Sequence, residues 1–126
     1  RVQRVENVAT PEQAEMRMYY VGWSSSTGEA DWALRPLIDS QSIPPKQYNM
    51  SYLRDPQIDT ALADALKTTD PAKKAALYAD VQKRMWDEAP WAFLVTERLL
   101  FAHAKGLSGF NMVPDGSFEF EEVELR

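Results

Sequence analysis

No cysteine occurs in the 126 residues. That excludes a disulfide scaffold, a thiol nucleophile and any Cys-ligated zinc. It does not fix the compartment. Histidine is almost as scarce, with His103 alone, so the usual zinc donor sets cannot be assembled from this chain and no metal is predicted. No run approaches the roughly 18 consecutive apolar residues of a membrane span, and no signal-peptide pattern stands at the start. Positive charge is in deficit: 14 Lys and Arg stand against 19 Asp and Glu, a net charge of -5. Nucleic-acid binders usually carry a basic stripe. Here Lys67, Lys73, Lys74, Lys83 and Arg84 fall on a helical pattern beside Asp70 and Asp80 and read as a solvated face, so neither nucleic acid nor membrane insertion is expected. Gly22 and Gly28 make no phosphate loop, because no Lys-Ser or Lys-Thr follows, and no cofactor is predicted.

What is present is an ordinary globular composition, 44% hydrophobic and 26% charged, in a length suited to one modest core. The chain opens on Arg1 in a polar stretch, which predicts a piece of a longer protein. Thr10-Pro11-Glu12 predicts a short helix. Met16 to Trp23 is bulky and aromatic and predicts a buried strand. Ser24-Ser25-Ser26-Thr27-Gly28 then predicts a loop at the strand's end. Ala30 to Ile38 predicts a short helix made irregular by Pro36, and residues 39–54 a long loop of the kind often functional.

Asp55-Pro56 and Asp70-Pro71 are matching helix starts, with Asp as N-cap and Pro at the first helical position. The apolar stripes are Ile58, Leu62, Ala65 and Leu66 in the first helix and Leu77, Val81 and Met85 in the second. Pro90 closes the second near Glu88. The pair predicts a helical hairpin turning at Thr68-Thr69, both stripes buried against strands. Trp91 to Val95 predicts a buried strand, with Trp86 and Trp91 in the core. Leu99 to Ala102 predicts an extended segment, and Ser117 to Leu125 a terminal strand with one wet face.

Chemistry is sparse. Glu29 and Asp31 stand two apart, but a glycosidic pair also needs a cleft and a separation of about 5–9.5 Å. His103 would need Ser24, Ser25 or Ser26 to make a triad, and no Gly-x-Ser-x-Gly elbow exists. No enzymatic activity is expected. Gly22 to Trp32 reads better as a binding loop. Gly22 permits close backbone approach. Trp23 offers a flat apolar wall with one N–H donor. The serines offer hydroxyls and backbone N–H groups for a carboxylate or amide. The same residues also fit a plainer reading, in which Trp23 and Trp32 are core and the serines a surface turn.

Asp70-Pro71-Ala72-Lys73-Lys74-Ala75-Ala76-Leu77-Tyr78, then Val81-Gln82 and Glu88-Ala89-Pro90-Trp91, resembles the C-terminal helix and strand of the dipeptide, oligopeptide and nickel class (family 5) of ABC-transporter solute-binding proteins. Tyr20-Val21-Gly22-Trp23 and Gly28-Glu29-Ala30-Asp31 resemble that family's strand and ligand loop. Lys105 to Phe110 resembles its return to the other lobe. Order and spacing from about Met16 onward identify the pattern, and Gly22 to Leu34 looks like the glutathione-binding branch. The resemblance implies an α/β fold, the C-terminal part of a two-lobed periplasmic binding protein (type II-like), with a mixed sheet and a helical hairpin. It implies one C-terminal fragment: about 16–104 in the ligand-binding lobe, about 105–126 as strands returning toward the other lobe.

It further implies an exported, periplasmic protein that binds a short peptide, glutathione or a relative, and whose partners are the permease subunits of an ABC transporter and the rest of the parent chain. The implied ligand-binding set is Gly22, Trp23, Ser24, Ser25, Ser26 and Asp31. In peptide-binding members an aspartate three residues after the Trp pairs with the ligand's ammonium. Ser26 holds that position here and supplies no charge, which implies a ligand whose ammonium sits elsewhere, as in a γ-linked peptide. Asp31 matches a second loop aspartate and is assigned to fixing the loop. Two competing readings are a sugar-binding protein or glycoside hydrolase fragment, built on Trp23, Trp32, Glu29 and Asp31, and a helical interaction module built on 55–88.

Overall fold

The computed structural model describes residues 10–13, 18, 20–96, 98–113 and 116–126. Pro11–Gln13 form a 3-10 turn where a short helix is expected. Three helices follow: α1 (Ala30–Ile38), α2 (Pro56–Lys67) and α3 (Pro71–Glu88). The caps are those the sequence predicts. The Asp55 carboxylate accepts from the N–H groups of Gln57 and Ile58, and that of Asp70 from Ala72 and Lys73. Each satisfies backbone donors that the first turn leaves unpaired. α3 ends at Glu88, and Ala89 turns into the left-handed region with φ 45°.

The hairpin of α2 and α3 carries the core. Ile58, Ala61, Leu62 and Ala65 meet Tyr78, Val81 and Met85, with Ile38 of α1 completing the cluster. Leu34, Leu37, Leu53 and Trp91 pack around it. The stripes are therefore buried against each other and against α1, not against strands. Leu66 and Trp86 are exposed, 59% and 70%, contrary to their expected burial. The reason is angular. At roughly 100° per residue, Leu66 lies about 80° around its helix from the centre of Ile58, Leu62 and Ala65, and Trp86 about 140° from the centre of Leu77, Val81 and Met85. Trp86 instead stacks on Phe93 with centroids 5.7 Å apart.

The strands differ most from expectation. Met16, Arg17 and Tyr19 lie outside the described residues. Met18 and the stretch Tyr20 to Trp23 form no strand and are exposed. Trp91 to Val95 and Leu99 to Ala102 also form none, although Phe93, Leu94, Val95 and Leu100 leave large apolar area open. A strand exists only as part of a ladder, and among the described residues nothing pairs with these segments. Four two-residue strands do pair: β1 (Leu107–Ser108) with β4 (Glu124–Leu125), and β2 (Asn111–Met112) with β3 (Phe118–Glu119), both antiparallel. The expected single terminal strand is thus β3 and β4, separated by a turn. Phe101, Phe110 and Phe120 gather around Phe118 at centroid distances of 4.8, 5.0 and 6.0 Å. The fold is α/β with the expected hairpin, its described strands joined in two small ladders.

Candidate functional site

The loop from Gly22 to Glu29 is built on one serine. Ser25 Oγ donates to the Glu29 carbonyl at 2.9 Å. The Glu29 N–H donates to Thr27 Oγ1 at 3.2 Å. Gly28, at φ 72°, closes the turn with its N–H on the Ser25 carbonyl at 3.4 Å. That conformation suits glycine because it has no Cβ. This turn delivers the chain into α1, whose N-cap Glu29 makes no side-chain cap bond. Among the described residues no hydrogen bond holds the Ser24 or Ser26 hydroxyl, and both side chains are exposed. The three serines therefore differ: Ser25 shapes the turn, while Ser24 and Ser26 present hydroxyls to solvent.

Trp23 is 40% exposed and, among the described residues, has one aromatic neighbour, Tyr48, at a centroid distance of 5.2 Å and an interplanar angle of 51°. Tyr48 comes from the 39–54 loop, which is far more ordered than an open linker. Its pivot is Asn49, 0% exposed. Asn49 Nδ2 donates to the carbonyls of Asp39 (3.1 Å) and Leu53 (2.9 Å). Its Oδ1 accepts from Ser51 Oγ and the Leu53 N–H. Tyr48 N–H donates to the Pro36 carbonyl at 3.0 Å, one of the last-turn carbonyls of α1 that lack an intrahelical donor. Tyr48 was absent from the sequence-derived set. The only hint of it was a long loop rich in proline and tyrosine.

Asp31 is turned away from the serines' task. Arg35 Nη2 meets its Oδ1 at 2.7 Å, and Nε its Oδ2 at 2.9 Å. Tyr78 Oη of α3 also reaches Oδ1, at 3.4 Å. The Arg35 guanidinium continues to Asp39 Oδ2 (3.0 Å) and to the Leu62 carbonyl (2.9 Å). Its hydrogen bond to Asp31 holds it charged, raising its pKa further above the ordinary arginine value. Burial, then the Asp31 charge, raises the Tyr78 phenol above its usual value. This network joins α1, α2 and α3.

Other chemistry does not assemble. His103 Nδ1 lies 3.0 Å from the Ala104 carbonyl and its ring near Phe110, and among the described residues no hydrogen bond joins it to a serine. Among the described residues no group of three or more His, Asp or Glu stands where a metal ion would be held. Cavities of about 230 Å³, bordered by Pro44, Lys46 and Arg54, and about 120 Å³, bordered by Asn111 and Glu119, lie elsewhere. Gly22, Trp23, Ser24 and Ser26 are exposed.

No protein-family model matches the chain. Curated proteins do. Glutathione-binding protein GsiB of Pectobacterium atrosepticum is 53% identical over 114 residues, covering 90% of this chain and 22% of that protein. GsiB of Salmonella typhi is 48% identical over 126 residues, and GsiB of Escherichia coli 49%, each covering 98% of this chain and 25% of the relative. Among solved structures, clavulanic acid biosynthesis oligopeptide binding protein 2 superposes with a TM-score of 0.75 and 25% identity, covering 82% of this chain and 19% of that one. Over nearly its whole length the chain is similar to one part of these binding proteins, as its sequence resemblance predicts. It spans about a quarter or less of the length of the binding proteins it matches. The hairpin, the Gly22–Glu29 loop and the Trp23–Tyr48 pair lie within that share.

Proposed function

We propose that this chain supplies one wall of the ligand site in a longer binding protein that delivers short peptides, glutathione or a relative, to an ABC transporter. The observation that carries the reading is the Gly22–Glu29 loop. It presents Trp23 and the Ser24 and Ser26 hydroxyls outward on a turn braced by Ser25, in a chain about half identical to glutathione-binding proteins. An indole wall and free hydroxyls suit the flat amides and carboxylates of a peptide. Gly22, Trp23, Ser24 and Ser26 contact the ligand. Ser25 braces the loop, and Asp31 ties α1 to Arg35 and Tyr78.

Residues 16–104 belong to the ligand-binding lobe and 105–126 return toward the other lobe. The exposed apolar side chains of Phe93, Leu94, Val95, Leu99 and Leu100 are where the rest of the parent chain packs, since exposed patches of this kind mark interaction surfaces. The ligand is closed in by the second lobe through hinge motion, and no reacting group is needed. Among the described residues no helix is long and apolar enough to cross a membrane. The working compartment is the periplasm, and the partners are permease subunits.

Titration calorimetry on the full-length protein tests this. Glutathione or a related short peptide gives a saturable heat, and monosaccharides give none. Heat with sugars and none with any di- or tripeptide would sink the proposal. The 126 residues alone bind the same peptide far more weakly, because the opposite wall is missing.

A further inference from the structure

We infer that Tyr48 is a specificity-determining residue of this site, forming with Trp23 an aromatic corner that seats an uncharged, sulfur-bearing or apolar side chain of the bound peptide. The inference rests on the peptide-binding reading above. The two rings stand at 51° with centroids 5.2 Å apart, so they make two walls of an angle and not a closed stack. Trp23 is 40% exposed and Tyr48 39%. A core pair would be covered. This pair keeps part of its surface open, and Trp23 shares its loop with the exposed Ser24 and Ser26.

The corner is also held in place before any ligand arrives. Tyr48 N–H is fixed to the Pro36 carbonyl at 3.0 Å, and the Tyr48 carbonyl accepts from the Met50 N–H at 2.7 Å. The next residue is the fully buried Asn49, with its amide oxygen and nitrogen both engaged. A ring mounted on such a backbone loses little freedom on binding, which is how pre-organised contacts gain affinity.

The chemistry of the corner sets its guest. Tilted aromatic faces are polarisable and favour thiol, thioether and aliphatic groups, with sulfur about 5 Å from a ring. The neighbouring hydroxyls serve amide and carboxylate groups. The site thus divides the peptide, side chain to the Trp23–Tyr48 angle and backbone to the serine loop. The 39–54 loop thereby acquires a role as the mount of the second wall.

The test compares two tripeptides on the full-length protein by calorimetry: reduced glutathione and its analogue with serine in place of cysteine. The wild type favours the thiol peptide by about fivefold. Tyr48→Ala brings the two within about twofold, by weakening the thiol peptide alone. Tyr48→Phe keeps the preference, because the ring remains. Tyr48→Leu, which retains bulk without an aromatic face, loses it and serves if the alanine variant does not fold. A preference unchanged in both the alanine and leucine variants overturns the inference while leaving peptide binding intact. Equal weakening of both peptides also overturns it, since that marks a structural role. A wild type that binds neither peptide overturns the underlying reading instead.

Discussion

Asp31 and Arg35, one helical turn apart on α1, meet through two nearly parallel bonds of 2.7 and 2.9 Å. The same guanidinium reaches Asp39 and the Leu62 carbonyl, so one side chain joins the end of α1 to α2. With 25% of the Arg35 side chain exposed, water competes only in part. Arg35→Met takes from two carboxylates their charged partner and from the Leu62 carbonyl its guanidinium donor, and costs about 3 kcal/mol in a denaturant titration of the full-length protein. Arg35→Lys recovers only part of it, because an ammonium cannot make the forked contact.

Asn49 governs the loop that carries Tyr48. Its side chain spans the turn, bonding both the N–H and the carbonyl of Leu53, while Tyr52 between them sits at φ 56°. A non-glycine residue in that region persists only when its surroundings hold it. Asn49→Leu fills the space and leaves those groups unpaired. Hydrogen exchange across 39–54 then quickens by about tenfold or more. Unchanged exchange would show that the loop is ordered by other means.

Alkaline pH acts through Tyr78. Its folded-state pKa is raised, chiefly by burial and then by the Asp31 charge, above the ordinary value of 10.0. The unfolded chain therefore ionises first as pH rises. Stability is fully present below about pH 10 and falls as pH climbs from there through the folded value. Tyr78→Phe flattens that fall and costs little at neutral pH, since its bond to Asp31 is long at 3.4 Å. Melting temperatures measured from pH 8 upward check it.

Gly109 and Gly116 both have positive φ, 70° and 89°, but only Gly109 lies against backbone. A Cβ there would strike the Glu122 carbonyl, whereas at Gly116 its nearest neighbour is the flexible end of Leu99, at 3.3 Å. Gly109→Ala therefore destabilises by about 1–3 kcal/mol more than Gly116→Ala in paired urea titrations. Equal costs would mean that φ alone decides.

The helices were legible because their signals are local. Asp55-Pro56 and Asp70-Pro71 each place a cap and a pre-set φ side by side, and the structure uses both. Leu66 and Trp86 were misplaced because an apolar residue one step beyond a stripe looks like part of it until its angle is counted. The strands were the weak point, since pairing depends on a partner that no local pattern reveals. Tyr20 to Trp23 and Trp91 to Val95 have strand composition and no ladder among the described residues. At the site, composition marked Trp23 and the serines but treated three hydroxyls alike, and only the bond from Ser25 to Glu29 separates them. Tyr48 was invisible because its contact with Trp23 is made through the fold, between segments distant in the chain.

The account turns on Trp23 as part of a peptide-binding wall. The most direct test is the affinity of the full-length protein for glutathione before and after Trp23→Ala, with the melting temperature as a check on folding. Trp23 is exposed and its removal leaves the hairpin core untouched, so the variant folds normally. Its affinity falls about tenfold or more. An unchanged dissociation constant in a normally folded variant would contradict the placement of the ligand on this loop.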